Sequence, residues 1–78
     1  LQHPDLSAAL YQNGCVRYAA GDHDGAVTAW NEAIQLFHEL GEEHGIADCL
    51  RSLARARFAS GAVGEALVYA TQARAIYE

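Results

Sequence analysis

The residues with the clearest chemical potential are Asp22 and Asp24, which precede Gly25 in the stretch AAGDHDGA, residues 19–26. Alternating carboxylates followed by glycine open an EF-hand calcium loop. Such a loop takes oxygen ligands at its first, third and fifth positions, glycine at the sixth and a bidentate glutamate at the twelfth. With Gly25 at the sixth position, the first is Ala20, which has no side-chain oxygen, and the twelfth is Asn31, which cannot supply two carboxylate oxygens. Glu32 falls one residue late. Two of the strongest ligands are missing, so the stretch does not read as a calcium site.

The remaining reactive side chains are scattered. Cys15 and Cys49 form neither a CxxC pair nor a disulfide framework. They read as two small thiols, buried or half-buried, in a reducing compartment, and hence point to a cytoplasmic protein. His3, His23, His38 and His44 fall at helix ends or loops, none with a histidine four residues away. They read as surface residues rather than zinc ligands. A Cys–His nucleophile is conceivable, but no oxyanion-forming element lies near either cysteine, and no glycine loop cradles a phosphate. Neither catalysis, cofactor nor metal is expected.

With no metal to bind, the same stretch works as a turn. Gly21 suits the left-handed position that ends a helix. Asp22 is a good N-cap for the next helix, and Asp24 sits near the positive end of its dipole.

The elements that surround this turn follow from composition. Seventy-eight residues make at most one small domain, with a thin core; a chain this short buries only about 60–65% of its unfolded surface. Half of the residues are apolar, alanine occurs sixteen times, and no proline follows Pro4. That mixture favours long helices. The chain has no lysine, its five basic residues all being arginine, and its net charge is −5. Residues 1–45 carry −6 and residues 46–78 carry +1. An acidic chain is a poor nucleic-acid ligand, and no apolar run is long enough to span a bilayer. The chain begins with Leu1, not methionine, so it reads as a piece of a larger protein and the lack of a signal peptide carries little weight.

Laid on itself with a shift of forty residues, the chain matches Leu10 with Leu50, Arg17 with Arg57, Gly21 with Gly61, Ala26 with Ala66 and Ala33 with Ala73. Tyr18 falls on Phe58, Leu36 on Ile76 and Phe37 on Tyr77, and the small residues Gly14 and Ala54 also coincide. Each unit reads as two helices. The first is expected over about Asp5 to Ala20, with Leu6, Leu10, Gly14 and Arg17 along one side. The second is expected over His23 to Leu40, with a stripe of Ala26, Trp30, Ala33, Phe37 and Leu40, ended by Gly41. The third runs from about Glu43 to Ser60, with Ile46, Leu50, Leu53 and Ala54 inward. The fourth runs from about Val63 to the end, with Ala66, Ala70, Ala73 and Tyr77 on one side. Very short turns make the helices of each unit antiparallel. Small residues at the crossings let the axes approach, and Trp30, Phe37 and Tyr77 fill the space beside them.

A small residue, seven residues to a glycine, five more to an alanine, then an aromatic and another alanine: this order, here Gly14, Gly21, Ala26, Trp30 and Ala33, resembles the tetratricopeptide repeat. The second unit reads Ala54, Gly61, Ala66, Ala70 and Ala73. The resemblance covers nearly the whole chain as one domain of two repeats, about 5–40 and 45–78. The period is forty rather than the commonest thirty-four, a longer form that resembles repeats of large signalling and regulatory proteins, including bacterial ones. Arg17 and Arg57 stand where a tyrosine is usual, the aromatic follows one residue later as Tyr18 and Phe58, and the closing proline is absent.

The resemblance implies an all-α fold: two antiparallel helix hairpins stacked as a fragment of a right-handed α-solenoid, whose first helices line a concave face. Carried over by position, that face would hold Ala8, Tyr11, Cys15 and Tyr18 from one unit and Asp48, Arg51, Arg55 and Phe58 from the other. Helical spacing agrees, since Tyr11, Cys15 and Tyr18 share i, i+4, i+7 spacing, as do Arg51, Arg55 and Phe58. Such stripes suit a peptide or protein segment bearing carboxylates.

The same residues also have plainer roles. Arg51 and Arg55 can be solvated charges paired with Asp48 or Glu43, and Tyr11 and Tyr18 can pack on the neighbouring hairpin. Arg17 and Arg57 read as structural, with stems along the crossing and heads in water, and Arg74 as a plain surface charge. Two repeats fall below the roughly three that stability usually needs. The outer side of the last helix, with Leu67, Ala70, Arg74 and Tyr77, therefore points to further repeats or to self-association.

Overall fold

The computed structural model describes residues 3–77 of the backbone and the side chains of 6–76. Among the described residues there are four helices and no strand: α1 (His3–Ala19), α2 (His23–Leu40), α3 (Glu43–Ala59) and α4 (Val63–Tyr77). α1 starts two residues earlier than its periodicity suggests and takes in Pro4. Proline is well tolerated in a first turn, where its missing N–H is not needed.

One turn is used three times. Gly21, Gly41 and Gly61 all adopt left-handed φ, at 91°, 72° and 89°. Each time the glycine N–H bonds a carbonyl three residues back, and the next N–H reaches a carbonyl five back. The second bonds are Asp22 N to Arg17 O at 2.8 Å, Glu42 N to Phe37 O at 2.9 Å and Ala62 N to Arg57 O at 2.8 Å. This is the Schellman ending, which returns the chain sharply enough for antiparallel packing. The starts of the next helices differ. Asp22 caps α2 by accepting from Gly25 N at 3.0 Å, whereas Glu42 makes no side-chain cap for α3.

α1 packs on α2 and α3 on α4, α2 joins the two hairpins through α3, and α1 touches α3 more lightly. The result is a slab whose Cα extents are 39 × 31 × 13 Å. The core is correspondingly thin. It comprises Ala26, Trp30, Ala33, Cys49, Leu53 and Ala56, with Leu10, Tyr11, Ile34, Phe37 and Tyr69 packed against it. The small residues do what the crossings require. A Cβ at Gly14 would fall 2.6 Å from Trp30 Cδ1, and one at Gly45 would run into the Phe37 ring. Ala26 and Ala33 are fully buried, and Ala66 and Ala73 nearly so.

Three expectations about burial are corrected. Ala70 is exposed although Ala66 and Ala73 on the same side are buried, because none of the described elements covers the far side of the α3–α4 pair. Leu6 is 50% exposed, since among the described residues no helix lies on α1 as α2 lies on α3. Arg57 does not hold its whole head in water: its Nε is buried, 3.2 Å from Glu65 Oε1 but off the N–H direction, so the contact is an ion pair without a hydrogen bond. Tyr77, expected inward, lies outside the described side chains.

Candidate interaction face

Of the eight residues expected on the concave face, Tyr11, Cys15 and Tyr18 form a half-buried group on α1 and Arg51, Arg55 and Phe58 an exposed group on α3, while Ala8 is exposed and Asp48 half-buried. Tyr11, Cys15 and Tyr18 keep their helical spacing, but all three lean on the core beneath α3. The Tyr11 hydroxyl accepts a long hydrogen bond from Ser52 Oγ at 3.5 Å, and the Tyr11 carbonyl accepts from Trp30 Nε1 at 3.2 Å. The Ser52 contact pulls the phenol pKa down, but burial and the adjacent Cys15 outweigh it, and Tyr11 titrates above its ordinary value. Tyr18 stacks on His23 with ring centroids 4.5 Å apart, and lies tilted to Trp30 at 5.9 Å. The first stripe therefore serves partly as a seat for α3.

The α3 group stands out in solvent. Phe58 is 66% exposed, a high value for an aromatic side chain. Arg51 and Arg55 are exposed one turn apart. Arg51 lies 3.9 Å from Asp48, a loose surface pair of the kind worth only about 0–1 kcal/mol. The two groups meet at a cleft of about 230 Å³ lined by Cys15, Tyr18, Trp30, Ser52 and Arg55. A second, larger groove of about 650 Å³ opens on the other side of Arg51 and Arg55. It is shared with Ala54 of α3 and with Ala70, Ala73 and Arg74 of α4. Residue spacing alone did not bring Arg74 to the two α3 arginines; applying the forty-residue shift to Ile34, which packs against the core, would have done so.

Cys49 is fully buried, and burial pushes its thiol pKa up to about 12. Among the described residues no three His, Cys, Asp or Glu side chains are grouped to hold a metal ion. Asp22 serves as a cap, accepting from Gly25 N at 3.0 Å, and as a partner of Arg17 Nη1 at 2.9 Å. Among the described residues no helix is long and apolar enough to cross a membrane.

Four helices in antiparallel pairs, closed by glycine turns and joined through α2 and α3, define an α-helical repeat module. The family model for the tetratricopeptide repeat matches residues 5–78, and the chain belongs to that family. Tetratricopeptide repeats are typically non-catalytic modules for protein–protein interaction. No curated protein and no solved structure matches the chain.

Proposed function

We propose that the chain is a non-catalytic scaffold that binds a peptide or protein segment along the face of α1 and α3, with carboxylates of the ligand meeting Arg51 and Arg55. One observation carries this reading. Phe58, Arg55 and Arg51 form an exposed stripe on a helix whose other sides are buried, next to the cleft between Tyr18 and Arg55. An exposed aromatic flanked by guanidiniums is the composition that interface centres favour. Cys15 and Tyr18 supply one wall of the cleft, Tyr11 lies one turn before Cys15 on the same helix, and Asp48 pairs loosely with Arg51. The two free thiols suit a reducing compartment such as the cytoplasm.

The test is a pull-down with the parent protein, followed by titration of the captured segment into labelled module. Arg51→Glu with Arg55→Glu should weaken binding while helical content stays constant. A captured segment that binds the double variant with unchanged Kd would remove this reading.

A second reading, self-association through α4, is favoured by Val63, Leu67 and Val68, which are 48%, 62% and 56% exposed on that helix. Light scattering separates the two: a mass that stays monomeric over a hundredfold range of concentration rules out self-association.

A further inference from the structure

The cleft between α1 and α3 has a volume of about 230 Å³ and is built from unlike parts. Buried Trp30 and Ser52 form its floor, half-buried Cys15 and Tyr18 one wall, and exposed Arg55 its mouth. Tyr18 and Trp30 make an aromatic corner, with ring centroids 5.9 Å apart and planes tilted by 38°. Ser52 Oγ donates to the Tyr11 hydroxyl. Among the described residues no carboxylate lines the cleft. Arg55 also differs from the other arginines. Arg17 has Asp22 at 2.9 Å, Arg57 has Glu65 at 3.2 Å, Arg51 has Asp48 at 3.9 Å, and Arg74 is also engaged. Among the described residues, Arg55 alone of the five arginines makes neither a hydrogen bond nor an ion pair.

Size and composition select the occupant. Pockets that take a whole small molecule run to about 300–1,000 Å³; this one suits a single large side chain. An anion is poorly placed inside it, because the faces of aromatic rings are negative. A cation would be repelled by Arg55 at the entrance. A flat aromatic side chain suits both parts: it adds a third ring to Tyr18 and Trp30, and the planar guanidinium can stack on its face. The edge N–H groups of the guanidinium then remain free for a carboxylate. Forty residues on, Phe58 has Ala70 where Tyr18 has Trp30, so the aromatic corner occurs once.

We propose that this cleft takes one aromatic side chain of the ligand, next to an acidic residue whose carboxylate meets Arg55. The proposal rests on the binding reading above and narrows it to one ligand class, a segment carrying an acidic–aromatic pair. Arg51, with Asp48 beside it, contributes less than Arg55.

Four short peptides with blocked ends test it, alike except for a central pair: Glu-Phe, Gln-Phe, Glu-Leu and Glu-Ala. Titrated into the labelled protein, Glu-Phe should bind about tenfold tighter than Glu-Ala and about threefold or more tighter than Glu-Leu. It should bind about fivefold tighter than Gln-Phe. Amide shifts should centre on Cys15, Tyr18, Ser52 and Arg55, and bound Glu-Phe should slow alkylation of Cys15, which lines the cleft. Arg55→Gln should erase the preference for Glu over Gln, whereas Arg51→Gln should keep it. Both arginines are exposed, so the fold should tolerate either change. Equal affinity for the Phe and Leu peptides overturns the proposal, as does unchanged alkylation of Cys15 at saturating Glu-Phe. If the shifts still lie on α1 and α3, the broader reading of that face stands. A Glu preference lost with Arg51→Gln but not with Arg55→Gln also overturns it. So does a segment captured by the parent protein that binds the α1–α3 face without an acidic–aromatic pair. Shifts confined to the groove beside Arg74 overturn both readings.

Discussion

Gly14 lies beneath the indole of Trp30, with no room for a methyl group between them. The close approach brings the indole N–H to the Tyr11 carbonyl at 3.2 Å, so the buried donor of Trp30 is satisfied by the helix it packs on. Trp30 then reaches Tyr18 and closes the first hairpin. One missing side chain thus sets the spacing of α1 and α2.

Gly14→Ala should destabilise the protein although alanine is the better helix former. Propensity favours alanine by about 1 kcal/mol. Overpacking against a rigid ring costs typically about 1–3 kcal/mol, so packing wins. Gly64→Ala is the control: nothing lies within 4 Å of its added Cβ, so it should stabilise by roughly 0.5 kcal/mol. Urea midpoints measured side by side decide the matter. A gain in stability for both variants would mean that the α1–α2 spacing is not set at Gly14.

Asp22 gives the first hairpin an acid-sensitive joint. The Gly25 N–H, and after it the Arg17 guanidinium, hold its carboxyl pKa below the ordinary value. A depressed folded pKa contributes stability that is present above the unfolded value, near about 4, and lost as pH falls through the folded one. The melting temperature should therefore drop below pH ~4 more steeply for the native chain than for Asp22→Asn, which has no charge to lose. Parallel melting curves for the two proteins from pH 6 to pH 3 would contradict the capping role of the charge.

Much of the fold could be read in the sequence because the turns carry it. Gly21, Gly41 and Gly61 need left-handed φ, and the alanines at fixed distances from Gly21 and Gly61 mark the crossings. The burial of Ser52 and Ala56 was less legible. α3 is covered from two sides, so its buried surface is wider than the one stripe of Ile46, Leu50 and Leu53. Ala70 misled for the opposite reason: its spacing is that of an inward residue, but whether it is covered depends on an element beyond the hairpin. The stripes on α1 and α3 were visible as spacings. That α3 presses on one of them and leaves the other in solvent is set by stacking, which no single helix reports.

The two cysteines should differ sharply in reactivity. Cys15 is half-buried at the cleft, whereas Cys49 is fully enclosed and its thiol is pushed up to about 12, chiefly by burial. The thiolate is the reactive form. At pH 8 a thiol reagent should modify Cys15 first, and Cys49 only at the rate at which the fold opens. In denaturant both should react at similar rates. Mass-resolved labelling over time checks this, and equal native rates would place Cys49 outside the core.

Phe58 gives the sharpest separation of binding from folding. At 66% exposure it has little packing to lose, and surface substitutions generally stay within about 0.5 kcal/mol of the native stability. Tyr18, its counterpart forty residues earlier, stacks on His23 and leans on Trp30. Phe58→Ala should therefore leave the melting temperature nearly unchanged while weakening a ligand on the α1–α3 face by at least tenfold, the loss expected of an aromatic anchor worth about 1.4 kcal/mol or more. Tyr18→Ala should lower both stability and affinity, because the same ring supports the hairpin and lines the cleft. If Phe58→Ala melts early and Tyr18→Ala does not, the exposed and supporting roles are reversed. If both bind normally, the ligand lies on another face, and the open groove beside Arg74 is the next surface to titrate.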